Sequence, residues 1–157
     1  MKELWDIREM NDVQKIAFQN IMFWKQVQKE RAMEDFMSDR TVFDILSYTK
    51  AIWNEEELKL MEQRVKFHLE HTPYDVIFYF PIEFPLENDW VRYTGEDFQR
   101  EIDENMVYFL KKFWVEYYTV TGSVEERKKM MIELINCADA LKRWIPRNLL
   151  TPRYHLV

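Results

Sequence analysis

Several short segments hold residue types able to handle phosphate or a proton. Ser38-Asp39-Arg40-Thr41 sets a carboxylate beside a guanidinium, just ahead of an apolar helical stretch. In parallel α/β proteins, ligands bind where a strand gives way to a helix. An aspartate there holds Mg2+ through water or accepts a hydroxyl proton, and an arginine clamps phosphate with paired hydrogen bonds. The same residues also read as a helix N-cap with a surface ion pair. Leu86-Glu87-Asn88-Asp89-Trp90-Val91-Arg92 places the Arg92 guanidinium between two aromatics. That segment suits either a lid or an ordinary acidic surface loop. Thr121-Gly122-Ser123, with Arg127 one turn on, links a strand to a helix. Backbone N–H groups there face a base or a phosphate, or else close a capped turn. His68 and His71 share a helix face without a third ligand at metal spacing.

What the chain lacks narrows its chemistry. Its 157 residues contain two glycines, Gly95 and Gly122. A G-x-x-x-x-G-K-[ST] phosphate loop needs glycines for positive φ and close approach to the phosphates. Five positions beyond each glycine stands an arginine, Arg100 or Arg127, so neither closes such a loop. A dinucleotide-binding G-x-G-x-x-G fails likewise. The net charge of −6 disfavours bulk nucleic acid and anionic membrane as partners. Cys137 is the one cysteine, which excludes an internal disulfide and a cysteine-cluster zinc site. It reads as a buried structural thiol. The longest apolar run, Val76 to Ile82, is broken by Pro81 and is too short to cross a bilayer. Met1 to Asn11 shows no apolar signal-peptide core. The expectation is a cytoplasmic chain forming a single domain over residues 1–157, with a tail at 144–157.

The elements follow from periodicity and punctuation. Val13, Ile16, Ala17, Ile21, Trp24 and Val27 keep helical spacing after an N-cap at Asn11 or Asp12. Residues 35–39 read as a brief buried strand. A helix from Thr41 to about Trp53 follows, then a charged one from Glu55 to about His71. Asp75 to Phe80 is β-branched, aromatic and apolar on both faces, as a buried parallel strand is. Thr94 with Asp97 predicts a cap opening a helix through Phe113. Tyr117 to Thr121 is a further strand, and Ser123 with Glu126 caps a helix to about Lys142. This alternation predicts α/β architecture, helix-rich, with a short parallel sheet of about three strands.

The ordered set of segments, over roughly residues 10 to 140, resembles the P-loop kinase-like ATPases of the nicotinamide-riboside-kinase type and related nucleoside or nucleotide kinases. Gln14, Phe18 and Glu30 look like that family's pattern ahead of its second strand. Phe36-Met37-Ser38-Asp39-Arg40-Thr41, with Asp44 and Tyr48, is similar to its strand and Asp-Arg motif. Tyr74 to Pro81 resembles its next strand, and Asp89-Trp90-Val91-Arg92 its lid. Thr121-Gly122-Ser123, with Glu126-Arg127, is similar to its base-side loop.

The resemblance implies phosphoryl transfer from ATP with Mg2+. Asp39 would be base or metal-side carboxylate, and Arg40 and Arg92 would bind phosphates. Asp44 and Tyr48 would face a nucleoside or nucleotide substrate. Gly122, Ser123 and Arg127 would border the cofactor. The family's opening strand, phosphate loop and helix have no counterpart here. By resemblance the missing strand is the central one, between Phe36 and Val76. Weak or absent ATP binding is expected, with the open edges covered by self-association or by another protein chain. The alternative is a non-catalytic interaction module that binds a partner protein. Trp5, Trp24, Trp53, Trp90, Trp114 and Trp144 are more than one small core readily hides, which favours it.

Overall fold

The computed structural model describes residues 10–34, 36–52, 55–83 and 95–144, the last six without their side chains. The order is α1 (Asp12–Arg31), α2 (Val42–Ile52), α3 (Glu55–His71), β1 (Phe78–Tyr79), α4 (Glu96–Lys112), β2 (Tyr118–Thr119) and α5 (Val124–Trp144).

The core is built around α2. Val42, Phe43, Ile45, Leu46, Ser47 and Thr49 are all buried, so this helix is covered nearly all round. Its hydroxyls bond back one turn, Ser47 Oγ to the Phe43 carbonyl at 2.8 Å and Thr49 Oγ1 to that of Ile45 at 2.6 Å. Helices α1, α3 and α4 enclose it with Phe23, Val27, Met61, Val65, Leu69, Phe109 and Leu110. Asn105 ties α4 to α2, accepting from Lys50 Nζ at 2.5 Å and donating to the Ser47 carbonyl at 3.3 Å.

β1 and β2 pair in parallel, Phe78 opposite Tyr118 and Tyr79 opposite Thr119, with α4 as the crossover between them. The Tyr79 hydroxyl donates to Asp103 at 2.8 Å and pins that crossover to the sheet. Burial and the Asp103 bond both push its ionisation upward. α4 ends in a Schellman motif: the Val115 N–H reaches the Leu110 carbonyl at 2.9 Å, and that of Trp114 reaches Lys111 at 3.0 Å. Trp114 takes the left-handed position, φ 53°.

The two expected strands after Thr72 are present, each trimmed to two residues. The third is a correction, because residues 36–38 form no strand. Instead Ser38 Oγ and Gln26 Nε2 both donate to the Arg40 carbonyl, at 2.5 and 2.7 Å, bending the segment into the start of α2. The apolar spacing that predicts α1 does not mark its buried face. Gln19, Phe23, Val27 and Glu30 are buried, whereas Val13, Ile21 and Trp24 are exposed. Cys137 is exposed rather than a core thiol.

Candidate functional site

Asp39 and Arg40 lie at the head of α2, in a turn held from three sides. Besides the two bonds to the Arg40 carbonyl, Gln26 Nε2 donates to Ser38 Oγ at 3.0 Å. Thr41 and Asp44 then cap the helix: Asp44 Oδ2 accepts from the Thr41 N–H at 2.7 Å and from its hydroxyl at 3.1 Å. The N-cap reading of this segment thus has its counterpart at Thr41, and it occupies the carboxylate of Asp44, which the resemblance had facing a substrate. Burial pushes that carboxyl above its ordinary range, opposed by the Thr41 hydrogen bonds and by Arg40. The side chains of Asp39 and Arg40 are left exposed. The turn is fixed while its charges remain available to a ligand. Tyr48, one turn beyond Asp44, is half-buried and packs edge-on against Phe98 at 6.1 Å.

Beneath this turn lies a polar network that spacing alone did not reveal. Glu30, 1% exposed, accepts from the Tyr74 hydroxyl at 2.7 Å and from Gln26 at 2.6 Å through Oε1. Its Oε2 meets His68 Nε2 at 2.6 Å, so we assign the proton to that nitrogen. The Tyr74 hydroxyl also accepts the Val42 N–H at 3.1 Å, an otherwise unpaired donor at the helix start. Burial, then the Glu30 charge, pushes Tyr74 far above the usual tyrosine range, so it stays a donor. An acid at 30 in register with Phe23 and Val27, and a histidine in register with Met61 and Val65, were the only sequence signals of this network.

The second group sits where β2 gives way to α5. Gly122 has φ 94°, and a Cβ there would lie 2.8 Å from Glu126 Oε2. Ser123 and Glu126 form the expected box: Glu126 Oε2 accepts from the Ser123 N–H at 2.8 Å and from its hydroxyl at 2.6 Å. Those bonds hold the Glu126 carboxyl below its ordinary range. Arg127 Nε donates to the Gly122 carbonyl at 2.7 Å, and its guanidinium pairs with Glu83 and lies 5.9 Å from the Phe80 ring centroid. Glu83 also accepts the Gly122 N–H through both oxygens, at 3.2 Å each. The chain's own carboxylate thus fills the position an anion would take. Nothing in the Pro81–Tyr93 sequence marked Glu83 for this role, since its partners are some forty residues away.

Arg92 lies outside the described residues. The hydrogen bond reaching the head of α2 from the β1 segment comes from Tyr74, which precedes the strand, whereas Glu83 follows it. Among the described residues no cluster of three or more histidine, cysteine or acidic side chains suits a metal ion. No helix among them is long and apolar enough to cross a membrane.

A parallel strand–helix–strand unit, with a positive-φ glycine between the second strand and the next helix, defines a helix-rich α/β protein. The family comparison is more specific. Residues 1–127 match the model of the AAA domain family, and the chain belongs to that family. Its ancestry is therefore that of the P-loop NTPases, without singling out the nicotinamide-riboside-kinase type. No curated protein and no solved structure gives a significant match.

Proposed function

We propose that this AAA-family chain carries the acceptor side of a nucleoside- or nucleotide-kinase-like phosphotransferase site, built on Asp39 and Arg40. The observation that carries this reading is the turn itself. Its backbone is locked by Gln26, Ser38 and the Thr41–Asp44 cap, while the carboxylate and guanidinium stay exposed. Such pre-organisation suits a reaction that depends on positioning and charge stabilisation. Asp39 accepts the acceptor hydroxyl proton, and Arg40, with Arg92, binds phosphate.

The described residues fit Mg2+ only as one carboxylate, Asp39, completed by water and substrate phosphates. They do not fit the phosphates of ATP. Neither glycine belongs to a phosphate loop, and the Gly122–Arg127 corner is filled by Glu83. No step through ATP is derived from this chain alone, and turnover in this reading needs a phosphate loop supplied from outside these residues.

Calorimetry of the full chain against Mg-ATP and a panel of nucleosides and nucleoside monophosphates tests the reading. Acceptor binding that is lost in Asp39→Asn and Arg40→Gln, with little or no Mg-ATP binding, supports it. Micromolar Mg-ATP affinity, or a panel without any binder, overturns it.

One observation favours a second reading, an interaction module. Helix α5 has no buried side chain from Val124 to Ala138, and Val124 and Ile132 are exposed. Among the described residues β1 pairs only with β2. A second copy or another chain docking there would cover both, and light scattering separates a self-associating chain from a monomer.

A further inference from the structure

Helices α1 and α3 leave an open groove between them. The buried Phe23 and Val27 floor it, and its rims carry exposed apolar side chains, Trp24 from α1 with Leu60 and Phe67 from α3. Trp24 is 53% exposed and Phe67 57%, and Ile21, about one turn before Trp24, is exposed as well. Scattered surface apolar residues are ordinary, but several along one groove mark an interaction surface. Both aromatics are held in place. Trp24 lies edge-on to Phe23 with ring centroids 5.3 Å apart, and Phe67 packs on His71 at 4.4 Å. Anchors fixed in this way lose little rotamer freedom when a partner covers them.

The charge of the groove is one-sided. Arg31 and Arg64 line it, and no acidic side chain does. Asn20 sets Arg64 in place: its Nδ2 donates to the Ile16 carbonyl at 2.9 Å, and its Oδ1 accepts from the Arg64 guanidinium. The exposed face of α1 adds Lys25 and Lys29, whereas its one acid between Val13 and Arg31, Glu30, is turned inward to His68 and Tyr74. A chain of net charge −6 thus presents a cationic rim around an apolar strip. None of Asp39, Arg40 and the residues of α5 lines this groove, so it stands apart from both readings above.

We infer that the α1–α3 groove receives an acidic amphipathic helix of a partner protein. Leu60 and Phe67 are two turns apart on α3, about 10 Å along its axis. The i and i+7 anchors of an incoming helix have that same spacing. Its apolar stripe packs on Trp24, Leu60 and Phe67, and its carboxylates meet Arg31 and Arg64. A guanidinium already fixed, as that of Arg64 is, suits paired hydrogen bonds to a carboxylate. The chain's own outer helices do not match this occupant. Helix α4 sets its exposed acids beside one exposed large apolar residue, Tyr108, and α5 sets Lys128 and Lys129 beside Val124 and Ile132.

The probe is a synthetic fluorescein-labelled helix of about 18 residues, with leucines and one tryptophan on one face and glutamates on the other. Fluorescence anisotropy reads its binding to the full chain. One-to-one binding is expected, with a Kd on the order of 10–100 µM. The same peptide with glutamine for every glutamate binds about tenfold more weakly. Trp24 and Phe67 are more than half exposed, so Trp24→Ala and Phe67→Ala each leave the chain folded and weaken binding about tenfold. Arg31→Glu weakens it about fivefold, and Ile132→Ala on α5 changes nothing. Absence of saturable binding to 1 mM overturns the inference. So does binding that survives Trp24→Ala and Phe67→Ala together, or that is lost in Ile132→Ala. Tighter binding of a single-stranded DNA oligonucleotide, or a dimer in light scattering that Trp24→Ala dissolves, also overturns it, because either gives the groove to another occupant.

Discussion

Replacing Glu30 by leucine tests how far the buried network sustains the fold. The Glu30 side chain is fully buried, and it accepts from Tyr74, Gln26 and His68. Gln26 keeps Ser38 and the Arg40 carbonyl after the change. The Tyr74 hydroxyl proton and the His68 Nε2 proton lose their acceptor inside the core. Two buried donors left unpaired cost about 1–3 kcal/mol each, in line with the ~3–5 kcal/mol typical of a broken buried pair. Leucine returns part of this through apolar burial, about 1–2 kcal/mol. The net expectation is a loss of about 3 kcal/mol, a large share of the ~5–15 kcal/mol of a domain this size. Urea unfolding followed by circular dichroism reads it as a lower midpoint at unchanged slope. Adding His68→Leu removes the stranded imidazole as well, so the double variant is less destabilised than the sum of the two singles. A loss under about 1 kcal/mol, or strict additivity, refutes the reasoning.

Three further outcomes follow from local geometry. Trp114→Gly relieves a left-handed residue that is 67% exposed, and after the glycine entropy cost it stabilises the protein by about 0.5–1 kcal/mol; a lower thermal midpoint contradicts this. Gly122→Ala meets both a positive φ and the Glu126 carboxylate, so it loses about 1–2 kcal/mol in the same unfolding assay. Glu126 has its pKa lowered from 4.5 by the Ser123 bonds, so its contribution is present above that value and lost as pH falls. Wild type and Glu126→Gln should therefore differ in stability at neutral pH and converge in acid, and a difference that grows in acid refutes the cap's role.

Local signals were readable where the partners are close in sequence. Asn11 with Gln14, Thr41 with Asp44, and Ser123 with Glu126 each cap a helix from three residues away. Helix α3 runs from Glu55 to His71 as its charge and spacing predict. The parallel pairing of the two strands after Thr72 also follows from their apolar character and the intervening helix. The buried face of α1 was not legible because apolar spacing ignores polar burial: Gln19 and Glu30 lie on the buried side, and Glu30 is held there by His68 and Tyr74. A strand at residues 35–39 was inferred from a run too short for periodicity to decide. The Gln26 and Ser38 bonds to the Arg40 carbonyl bend it instead, and Gln26 is twelve residues or more from these partners. Glu83 at the Gly122–Arg127 corner was hidden for the same reason, since only the fold brings the three together.

The proposed site depends on a fixed turn with exposed charges at Asp39 and Arg40. Amide NMR on the labelled full chain, titrated with nucleoside monophosphates, tests this most directly. Saturable shifts from Ser38 to Asp44 are expected, and they vanish in Asp39→Asn and Arg40→Gln with thermal stability unchanged. Shifts confined to Gly122–Arg127, or none in the α2 turn at millimolar ligand, contradict it.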